Sequence, residues 1–288
     1  PMSSSVAPMI WDHHRLAWGQ QTHVMGILNV TPDSFAGDGL IEDALTQDMV
    51  IERAVAQARA FIAEGATLLD VGGESTRPRF QPLALEQELE RVIPVIQALS
   101  AALPREIIIS IDTYTAEVAR QAIDTGAALV NDITGLRSDP AMAALIGERG
   151  VPVVLMANMR GYDRREIVSD VMRQLSSSID RALAAGVAWD HLIIDPGIGF
   201  GTTPQENLTL LRRLGELRAL GRPILLGTSR KSTIGLVLGG LPPQERVEGT
   251  AATVALGIAQ GADIVRVHDV REMMRVVKMA DAIVRGYS

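Results

Sequence analysis

Residues 191–201 read His191-Leu192-Ile193-Ile194-Asp195-Pro196-Gly197-Ile198-Gly199-Phe200-Gly201. The apolar run predicts a short buried strand, and Pro196-Gly197 ends that strand and turns the backbone away. Asp195 is therefore expected at the C-terminal tip of the strand. An aspartate in this position is often an ordinary turn or helix-capping residue. The same arrangement recurs along the chain, however, and the repetition favours a functional role.

Seven further apolar runs alternate with stretches of helical periodicity. The eight strand candidates are 24–29, 67–71, 107–112, 128–132, 151–156, 191–195, 223–227 and 263–267. The helical stretches between and after them are 46–64, 86–102, 116–124, 166–185, 204–220, 243–260 and 270–284.

Eight βα units of about 30 residues each predict an α/β fold, a single-domain (β/α)8 TIM barrel. We assign residues 23–288 to this barrel and residues 1–22 to an N-terminal tail or lid. The alternative is an open doubly wound sheet. That fold is less favoured, because no G-x-G-x-x-G sequence opens a helix after the first strand.

The composition narrows the classes of function. The chain has 288 residues, no cysteine and a formal net charge of -7 at pH 7. Because no basic block offsets the negative charge, we expect no nucleic-acid partner and no binding to an anionic membrane. The absence of cysteine excludes disulfides and thiolate metal sites, and it is typical of the reducing cytoplasm, the predicted location. No apolar run approaches the ~20 residues of a membrane span.

Polar residues follow most of the predicted strands. In a barrel these positions meet at the C-terminal face, where the active site of this fold lies. The residues concerned are Asn29, Asp112, Asn131, Asp195, Lys231, Arg266 and His268. Arg266 and His268 share one face of the last strand, because residues i and i+2 point to the same side. The sequence therefore predicts a small-molecule site that combines acids, amides and bases.

Four motifs resemble the signatures of the dihydropteroate synthase family. They are Ile27-Leu28-Asn29-Val30-Thr31-Pro32-Asp33-Ser34-Phe35, Gly73-Glu74-Ser75-Thr76-Arg77-Pro78, Asp195-Pro196-Gly197-Ile198-Gly199-Phe200-Gly201 and Ser229-Arg230-Lys231. The resemblance covers residues 23–285 and implies a (β/α)8 barrel transferase of folate biosynthesis, a sulfonamide target. This family joins 6-hydroxymethyl-7,8-dihydropterin diphosphate to p-aminobenzoate in an SN1-like reaction that yields 7,8-dihydropteroate and pyrophosphate. The resemblance also implies Mg2+ as cofactor and a homodimer.

The resemblance implies a catalytic set that also binds the pterin. This set is Asp112, Asn131, Asp195 and Lys231, and Met156 and Thr76 complete the predicted pterin cavity. A pterin presents an edge with two hydrogen-bond donors, for which a fixed carboxylate such as Asp195 is a natural bidentate partner. Asn131 could instead be a capping amide, and Met156 could be ordinary core.

The resemblance also implies two further groups of site residues. The predicted diphosphate ligands are Asn29, Arg77, Arg266 and His268, with Asn29 also reaching Mg2+. The predicted p-aminobenzoate residues are Phe35, Arg77, Lys231 and Ser232. Taken singly, His268 could be a structural histidine and Ser232 a residue at a helix N-terminus. An amide oxygen together with phosphate and water oxygens is a common ligand set for Mg2+.

Two departures from the family pattern affect the loops. Residues 34–39 vary the usual continuation of the first loop, and Leu155-Met156-Ala157-Asn158-Met159 replaces the usual Leu-Met-His-Met. Gly37 and Gly39 lower the cost of rearranging the first loop, which we expect to settle only when Mg2+ and diphosphate bind and to bring Phe35 over the barrel opening. Because Phe35 and Arg77 would supply part of the p-aminobenzoate pocket, we expect p-aminobenzoate to bind well only after Mg2+ and diphosphate. Two alternative functions are a non-catalytic pterin-binding paralogue and a pterin-dependent methyltransferase of the same barrel family.

The last helical stretch has more apolar surface than one buried face needs. Val270, Met273, Val277, Ala280 and Val284 form one stripe, and Met274, Val276, Met279 and Ile283 extend beyond it. The excess predicts a homodimer, although a wide core-facing stripe would have the same pattern.

Overall fold

The computed structural model describes residues 6–31, 46–73 and 83–286. The strands of this part of the chain are β1 (Met9–Trp11), β2 (His14–Leu16), β3 (His23–Asn29), β4 (Leu68–Gly72), β5 (Ile108–Asp112), β6 (Leu129–Asp132), β7 (Val153–Met156), β8 (Leu192–Asp195), β9 (Leu225–Leu226) and β10 (Ile264–Val267). The α-helices are α1 (Gln47–Ala63), α2 (Leu85–Ala102), α3 (Ala116–Thr125), α4 (Met142–Arg149), α5 (Ile167–Ala184), α6 (Pro204–Arg212), α7 (Ser232–Val237), α8 (Val247–Ala259) and α9 (Val270–Arg285).

Strands β3 to β10 form one parallel sheet that closes on itself. Their order in the sheet is β8-β7-β6-β5-β4-β3-β10-β9, and a parallel bridge between Ile194 and Ile224 brings β8 to the segment that leads into β9. Because each barrel strand runs parallel to its neighbours and the helices alternate with the strands, the predicted (β/α)8 TIM barrel is confirmed.

The inward-facing side chains of the barrel change from apolar to polar along the strands. The layer nearest the strand N-termini is apolar and consists of Met25, Leu68, Ile108, Leu129, Val154, Ile193, Leu225 and Ile264. Two residues further along each strand, on the same face, lie Ile27, Asp70, Ser110, Asn131, Met156, Asp195, Gly227 and Arg266. The strands therefore deliver most of the polar groups to one end of the barrel.

A β-hairpin formed by β1 and β2 covers the apolar end. Met9, Trp11 and Leu16 of the hairpin, and Trp18 after it, are buried in one cluster with the apolar inward layer. The Trp11 indole also donates a hydrogen bond to the carbonyl of Ala128, at 2.8 Å. The hairpin thus closes the N-terminal end of the barrel, although the sequence pattern predicted no strand there.

Two predicted helices are interrupted. The stretch 204–220 is α-helical only to Arg212 and continues as a 3-10 helix over Leu214–Leu220. Gln260 accounts for the change, because its amide nitrogen donates to the carbonyl of Leu211 at 2.8 Å and its amide oxygen accepts from the N–H of Gly215 at 3.0 Å. These bonds replace the intrahelical pattern at the point where the helix tightens. Similarly, 243–260 divides into a 3-10 turn, Pro243–Glu245, and α8.

Helices α4 and α7 are absent from the helical stretches predicted above, and they are the two shortest α-helices described, with 8 and 6 residues. Such segments offer too few turns for a clear 3.6-residue period. The predicted strand 223–227 is likewise reduced to Leu225–Leu226. None of the helices in the described part of the chain is long and apolar enough to cross a membrane.

Candidate active site

Arg266 joins two buried acids at the polar end of the barrel. Its Nε donates to Asp70 Oδ2 at 2.7 Å, and its Nη2 donates to Asp112 Oδ2 at 3.1 Å. Burial raises the pKa of Asp112, and the neighbouring carboxylate of Asp70 raises it further, while Arg266 opposes both effects. Arg266 is therefore the cation that lets two carboxylates share this confined space.

Asp70 also accepts hydrogen bonds from two uncharged side chains. Ser110 donates to its Oδ1 at 2.7 Å, and the amide nitrogen of Asn131 donates to its Oδ2 at 2.9 Å. These contacts orient the Asn131 amide, whose Oδ1 is buried and has no hydrogen-bond partner among the described residues. A buried acceptor left without a partner is costly in a folded protein. The Asn131 oxygen is therefore poised to accept a hydrogen bond from a ligand.

Asp195 ends β8 and is almost fully buried. Its Oδ1 accepts the backbone N–H of Gly197 at 2.8 Å. Gly197 has φ +73, and a Cβ at this position would overlap the carbonyl oxygen of Ala157, so the turn requires glycine. Burial raises the pKa of Asp195 to about 6, against the opposing effects of the Gly197 N–H and of Lys231. The Gly197 N–H is bound to only one oxygen of this buried carboxylate, which therefore keeps acceptor capacity for a ligand.

Lys231 immediately precedes α7, where a β-region backbone places it at the N-cap. Its ammonium donates to the carbonyl of Ile198 and lies 4.6 Å from the centroid of the Phe200 ring. Burial lowers the pKa of Lys231 to about 8, and the charge of Asp195 opposes the shift. Lys231 is partly buried, and its charge and that of Asp195 each favour the ionised form of the other.

Apolar side chains line the wall beside this pair. Met156 and Phe200 are buried in a small cluster with Ile133, and Tyr114 packs against it. The Arg160 guanidinium lies 5.1 Å from the centroid of the Phe200 ring. A flat aromatic wall next to buried acceptors and donors suits a flat polar heterocycle.

His268 follows β10 on the same face as Arg266. Its Nδ1 lies 2.8 Å from Ser229 Oγ, which also accepts the backbone N–H of His268 at 3.0 Å. Burial and the nearby charges of Arg266 and Arg230 lower the pKa of His268 to about 3. Next to this contact, Arg230 binds Asp269 with two hydrogen bonds of 3.0 and 2.6 Å. Two short pairs thus connect the segment after β9 to the segment after β10.

The remaining predicted residues are placed less fully. Asn29 ends β3 and is half-buried, with Gly72 as its partner on β4. Ser232 is exposed at the start of α7. Phe35, Thr76 and Arg77 lie outside the described residues, as do the first-loop glycines. The structure consequently brings together the acids, the amide and the bases that lie at the C-terminal end of the barrel.

Asp70 is the residue that sequence reasoning missed. It lies in the middle of a strand between apolar residues and is fully buried. An isolated acid inside an apolar strand is a signal in itself, because buried acids are rare unless they are paired. Phe200 and Ser229 belong to motifs that were recognised, but neither was assigned a role.

The donor set is compatible with Mg2+ held by one protein oxygen. Among residues 6–31, 46–73 and 83–286, no group of three or more His, Cys, Asp and Glu side chains could hold a metal ion. Mg2+ commonly uses one or two protein oxygens and completes its shell with phosphate and water. Asn29, which ends a strand at this opening, offers an amide oxygen of the required type.

The comparisons with known proteins agree on one family. The family described as "Pterin binding enzyme" matches residues 25–268. The dihydropteroate synthase of Clostridium beijerinckii is 47% identical over 268 residues, which cover 93% of this chain and 96% of that protein.

Two solved structures are similar throughout the fold. The dihydropteroate synthase of Clostridium difficile, crystallised in the presence of pteroic acid, has a TM-score of 0.87 and 45% identity, covering 94% of this chain and 99% of that one. The enzyme of Xanthomonas albilineans with 4-aminobenzoic acid has a TM-score of 0.85 and 40% identity, covering 92% and 94%.

Proposed function

We propose that the barrel opening of this chain, which belongs to the pterin binding enzyme family and is a dihydropteroate synthase, has two parts. One part, the pterin pole, binds the pterin ring, and the other, the diphosphate pole, binds the leaving diphosphate. The enzyme joins 6-hydroxymethyl-7,8-dihydropterin diphosphate to p-aminobenzoate and gives 7,8-dihydropteroate and pyrophosphate in folate biosynthesis. Each residue role below is part of the proposal.

The pterin pole is formed by Asp112, Asn131, Asp195 and Lys231. Asp195 accepts two hydrogen bonds from the N3–H and the 2-amino group of the pterin, and Lys231 donates to the ring carbonyl or N5. Asn131 Oδ1, which has no partner in the described part of the chain, and the acid Asp112 complete the polar contacts. Met156 and the Phe200 ring wall the cavity, and Thr76 is assigned to it by the resemblance alone.

The diphosphate pole is formed by Asn29, Arg266 and His268, with Arg77 assigned by the resemblance. Asp70 and Asp112 hold the Nε and Nη2 of Arg266, and its Nη1 has no hydrogen-bond partner among the described residues. That nitrogen can therefore donate to the diphosphate. Mg2+ held by Asn29 would neutralise part of the charge on the leaving group.

Bond cleavage in this reaction needs charge stabilisation more than acid catalysis. The reduced pterin releases electrons toward its methylene carbon as the C–O bond to the diphosphate breaks, and the amine of p-aminobenzoate then attacks that carbon. The protein orients the two reactants and stabilises the departing pyrophosphate. We assign p-aminobenzoate binding to Lys231 and Ser232 and, by the resemblance alone, to Phe35 and Arg77, and this binding should be enhanced once Mg2+ and diphosphate are in place.

The observation that carries this assignment is the Arg266 bridge. One guanidinium is fixed by acids from two different strands and so lies between the predicted pterin groups and the predicted anion site. The test measures pyrophosphate release with both substrates, with each substrate alone, and after removal of Mg2+ by a chelator. Release that does not need Mg2+ would contradict the proposed role of the cation, and pyrophosphate release from both substrates without formation of 7,8-dihydropteroate would contradict the proposed condensation.

A homodimer through α8 and α9 is a separate part of the proposal. The stripe predicted to face the core is buried at Val270, Met273, Val277 and Ala280, but Val284 is exposed. Leu256 on α8 and Met279 and Ile283 on α9 are 65%, 63% and 72% exposed. A second copy of the chain would cover this apolar surface.

Sedimentation at micromolar concentration tests the dimer. The wild type should sediment as a dimer and the Ile283→Glu variant as a monomer, whereas Lys278→Glu on the same helix should keep the wild-type state. A monomeric wild type would contradict the proposal.

We also propose a cytoplasmic location, which the absence of cysteine favours.

A further inference from the structure

Ser229 makes two contacts with His268 through a single oxygen. Its Oγ accepts the backbone N–H of His268 at 3.0 Å and lies 2.8 Å from the Nδ1 of the same residue. Ser229 is 5% exposed, and within the described residues its hydroxyl has no other hydrogen-bond partner. The hydroxyl is thus enclosed by His268.

The position of the hydroxyl proton follows from this enclosure. A serine hydroxyl has one proton to donate and lone pairs to accept with. If Nδ1 carried a proton, the oxygen would accept from both His268 groups, and its own proton would have no acceptor among the described residues. If Nδ1 is unprotonated, the hydroxyl donates to it and every group is satisfied.

We infer that Ser229 is a positioning residue that holds His268 as its Nε2–H tautomer, so that the imidazole donates a hydrogen bond to the leaving diphosphate. The hydrogen bond at Nδ1 determines that the proton is on Nε2, in the same way that a hydrogen bond to one ring nitrogen fixes the tautomer of histidines that bind metals or substrates through the other. The inference rests on the proposed diphosphate pole. It adds a residue that does not touch the substrate.

The charges around the ring support a neutral imidazole. Arg266, Arg230 and Lys231 face His268 and disfavour its protonation together with burial, while Asp269 opposes them. Because the ring stays neutral, its tautomer decides whether Nε2 offers the diphosphate a donor or a lone pair. A lone pair directed at a phosphate oxygen would repel it, so an uncontrolled tautomer would weaken the pole.

The neighbouring ion pair makes the inference testable with one substitution. Arg230 binds Asp269 through two hydrogen bonds, and the carbonyl of Arg230 accepts from Arg246 at 2.7 Å. These contacts hold the two segments together independently of Ser229. The Ser229→Ala variant therefore removes the hydroxyl, while the Arg230–Asp269 ion pair beside it remains.

The first measurement reads the tautomer directly in the free enzyme. Two-bond nitrogen–proton correlation spectra of the 15N-labelled protein at pH 7.5 distinguish Nε2–H, Nδ1–H and imidazolium rings. The His268 signal is identified by its loss in His268→Gln. We expect Nε2–H in the wild type and in Ser229→Thr, and a mixture of tautomers in Ser229→Ala. An Nδ1–H or imidazolium ring in the wild type would overturn the inference, whatever His268 binds.

The second measurement follows the consequence for the anion. In Ser229→Ala, the dissociation constant of Mg2+-pyrophosphate should rise about tenfold, because one neutral hydrogen bond is lost or reversed. The kcat should fall by a similar factor, and the KM for p-aminobenzoate should change little. Ser229→Thr should restore both values. Ser178→Ala should leave them unchanged, because it removes a buried hydroxyl on α5 that has no partner within residues 6–31, 46–73 and 83–286.

The controls distinguish the diphosphate role of His268 from the positioning role of Ser229. If His268→Gln leaves pyrophosphate affinity unchanged, the proposed diphosphate role of His268 is wrong, and the inference that rests on it is overturned too. If His268→Gln weakens binding while Ser229→Ala changes neither the tautomer nor the affinity, the diphosphate role stands and only the role of Ser229 is refuted.

Discussion

The two ends of the barrel use the same strands for opposite purposes. At the N-terminal end, the strands present an apolar layer that is covered by Met9, Trp11, Leu16 and Trp18. At the C-terminal end, the same strands present acids, an amide and an arginine whose partners are mostly one another. A shift of two residues along a strand separates the two environments.

The difference shows where stability and chemistry are located. Packing at the apolar end stabilises the fold, since each buried aliphatic side chain contributes about 1.5–3 kcal/mol. At the polar end, burial raises the pKa of Asp195 and lowers the pKa of Lys231, so that it favours the neutral form of each group. Ionising these groups therefore destabilises the fold. Such a cost is typical of functional sites, where local rules are broken for a ligand. Substitutions at the two ends should therefore have opposite signatures.

Arg266 is the residue at which this division should break down. In Arg266→Met, the buried carboxylates of Asp70 and Asp112 lose their cation, so we expect the free energy of unfolding to fall by about 3–5 kcal/mol. The loss should be larger at pH 8 than at pH 5.5, because protonation of Asp112 relieves the repulsion. Urea unfolding at both pH values measures it.

A matched control for Arg266 is Arg120→Met, which removes an exposed arginine, with a side chain that is 44% exposed, paired with Glu117 on α3. This variant should unfold close to the wild-type midpoint. Equal losses in the two variants would mean that burial of the acid pair does not set the energy.

Leu16→Ala should give the signature of the apolar end alone. Leu16 is 1% exposed in the cluster that closes the barrel, so truncation should lower the free energy of unfolding by about 2–4 kcal/mol. The kcat and both KM values of the folded enzyme should stay at wild-type levels at 20 °C. Ile10→Ala, on the same hairpin but 63% exposed, should change neither property. A large loss of kcat in folded Leu16→Ala would show that the hairpin acts on the distant opening.

Sequence reasoning captured most of the barrel because local patterns encode it. Asp195, Asp112 and Asn131 were predicted at strand ends, and they lie at the ends of β8, β5 and β6. Hydrophobic runs of strand length and glycines after helices are signals that a single sequence carries. The motif resemblance then supplied the reaction, which position alone would not have done.

What the sequence did not reveal depends on contacts between distant residues. The interrupted helix after Arg212 follows from Gln260, which is 49 residues from its partner Leu211. Asp70 gains its importance from Arg266, 196 residues away, and the hairpin gains its from the barrel floor that it covers. No local period encodes such contacts. The alternation rule does predict that Asp70 and Arg266 face the same interior once a barrel is assumed.

Asp195→Asn should separate binding from stability at the polar end. Asparagine offers one acceptor and one donor where the pterin needs two acceptors, so pterin affinity should fall by about 1.5–3 kcal/mol, or roughly 10- to 150-fold. The variant should nevertheless be more stable than the wild type above pH 6. The raised pKa of Asp195 means that stability is fully present below pH 3.8 and is lost as pH rises through about 6.

Asparagine stays neutral and avoids that loss, so the variant should gain about 3 kcal/mol at pH 8. Calorimetric titration with a pterin and urea unfolding at pH 4 and pH 8 measure the two effects. Asp190→Asn, five residues earlier and exposed, serves as the control. Near-normal pterin affinity in a folded Asp195→Asn variant would refute the assignment of Asp195.

The smallest expected effect is the pH dependence of pterin binding, which tests whether the Asp195–Lys231 pair works as a unit. Binding requires an ionised Asp195, with a pKa of about 6, and a protonated Lys231, with a pKa of about 8. Affinity for an uncharged pterin should therefore be greatest near pH 7 and fall about tenfold per pH unit below about pH 6 and above about pH 8. In Lys231→Met the alkaline limb should disappear, and the acidic limb should move to higher pH, because the ammonium no longer favours the ionised carboxylate of Asp195. An acidic limb that stays at pH 6 in this variant would show that burial and the Gly197 N–H alone set the Asp195 pKa, and that the two groups do not act as a pair.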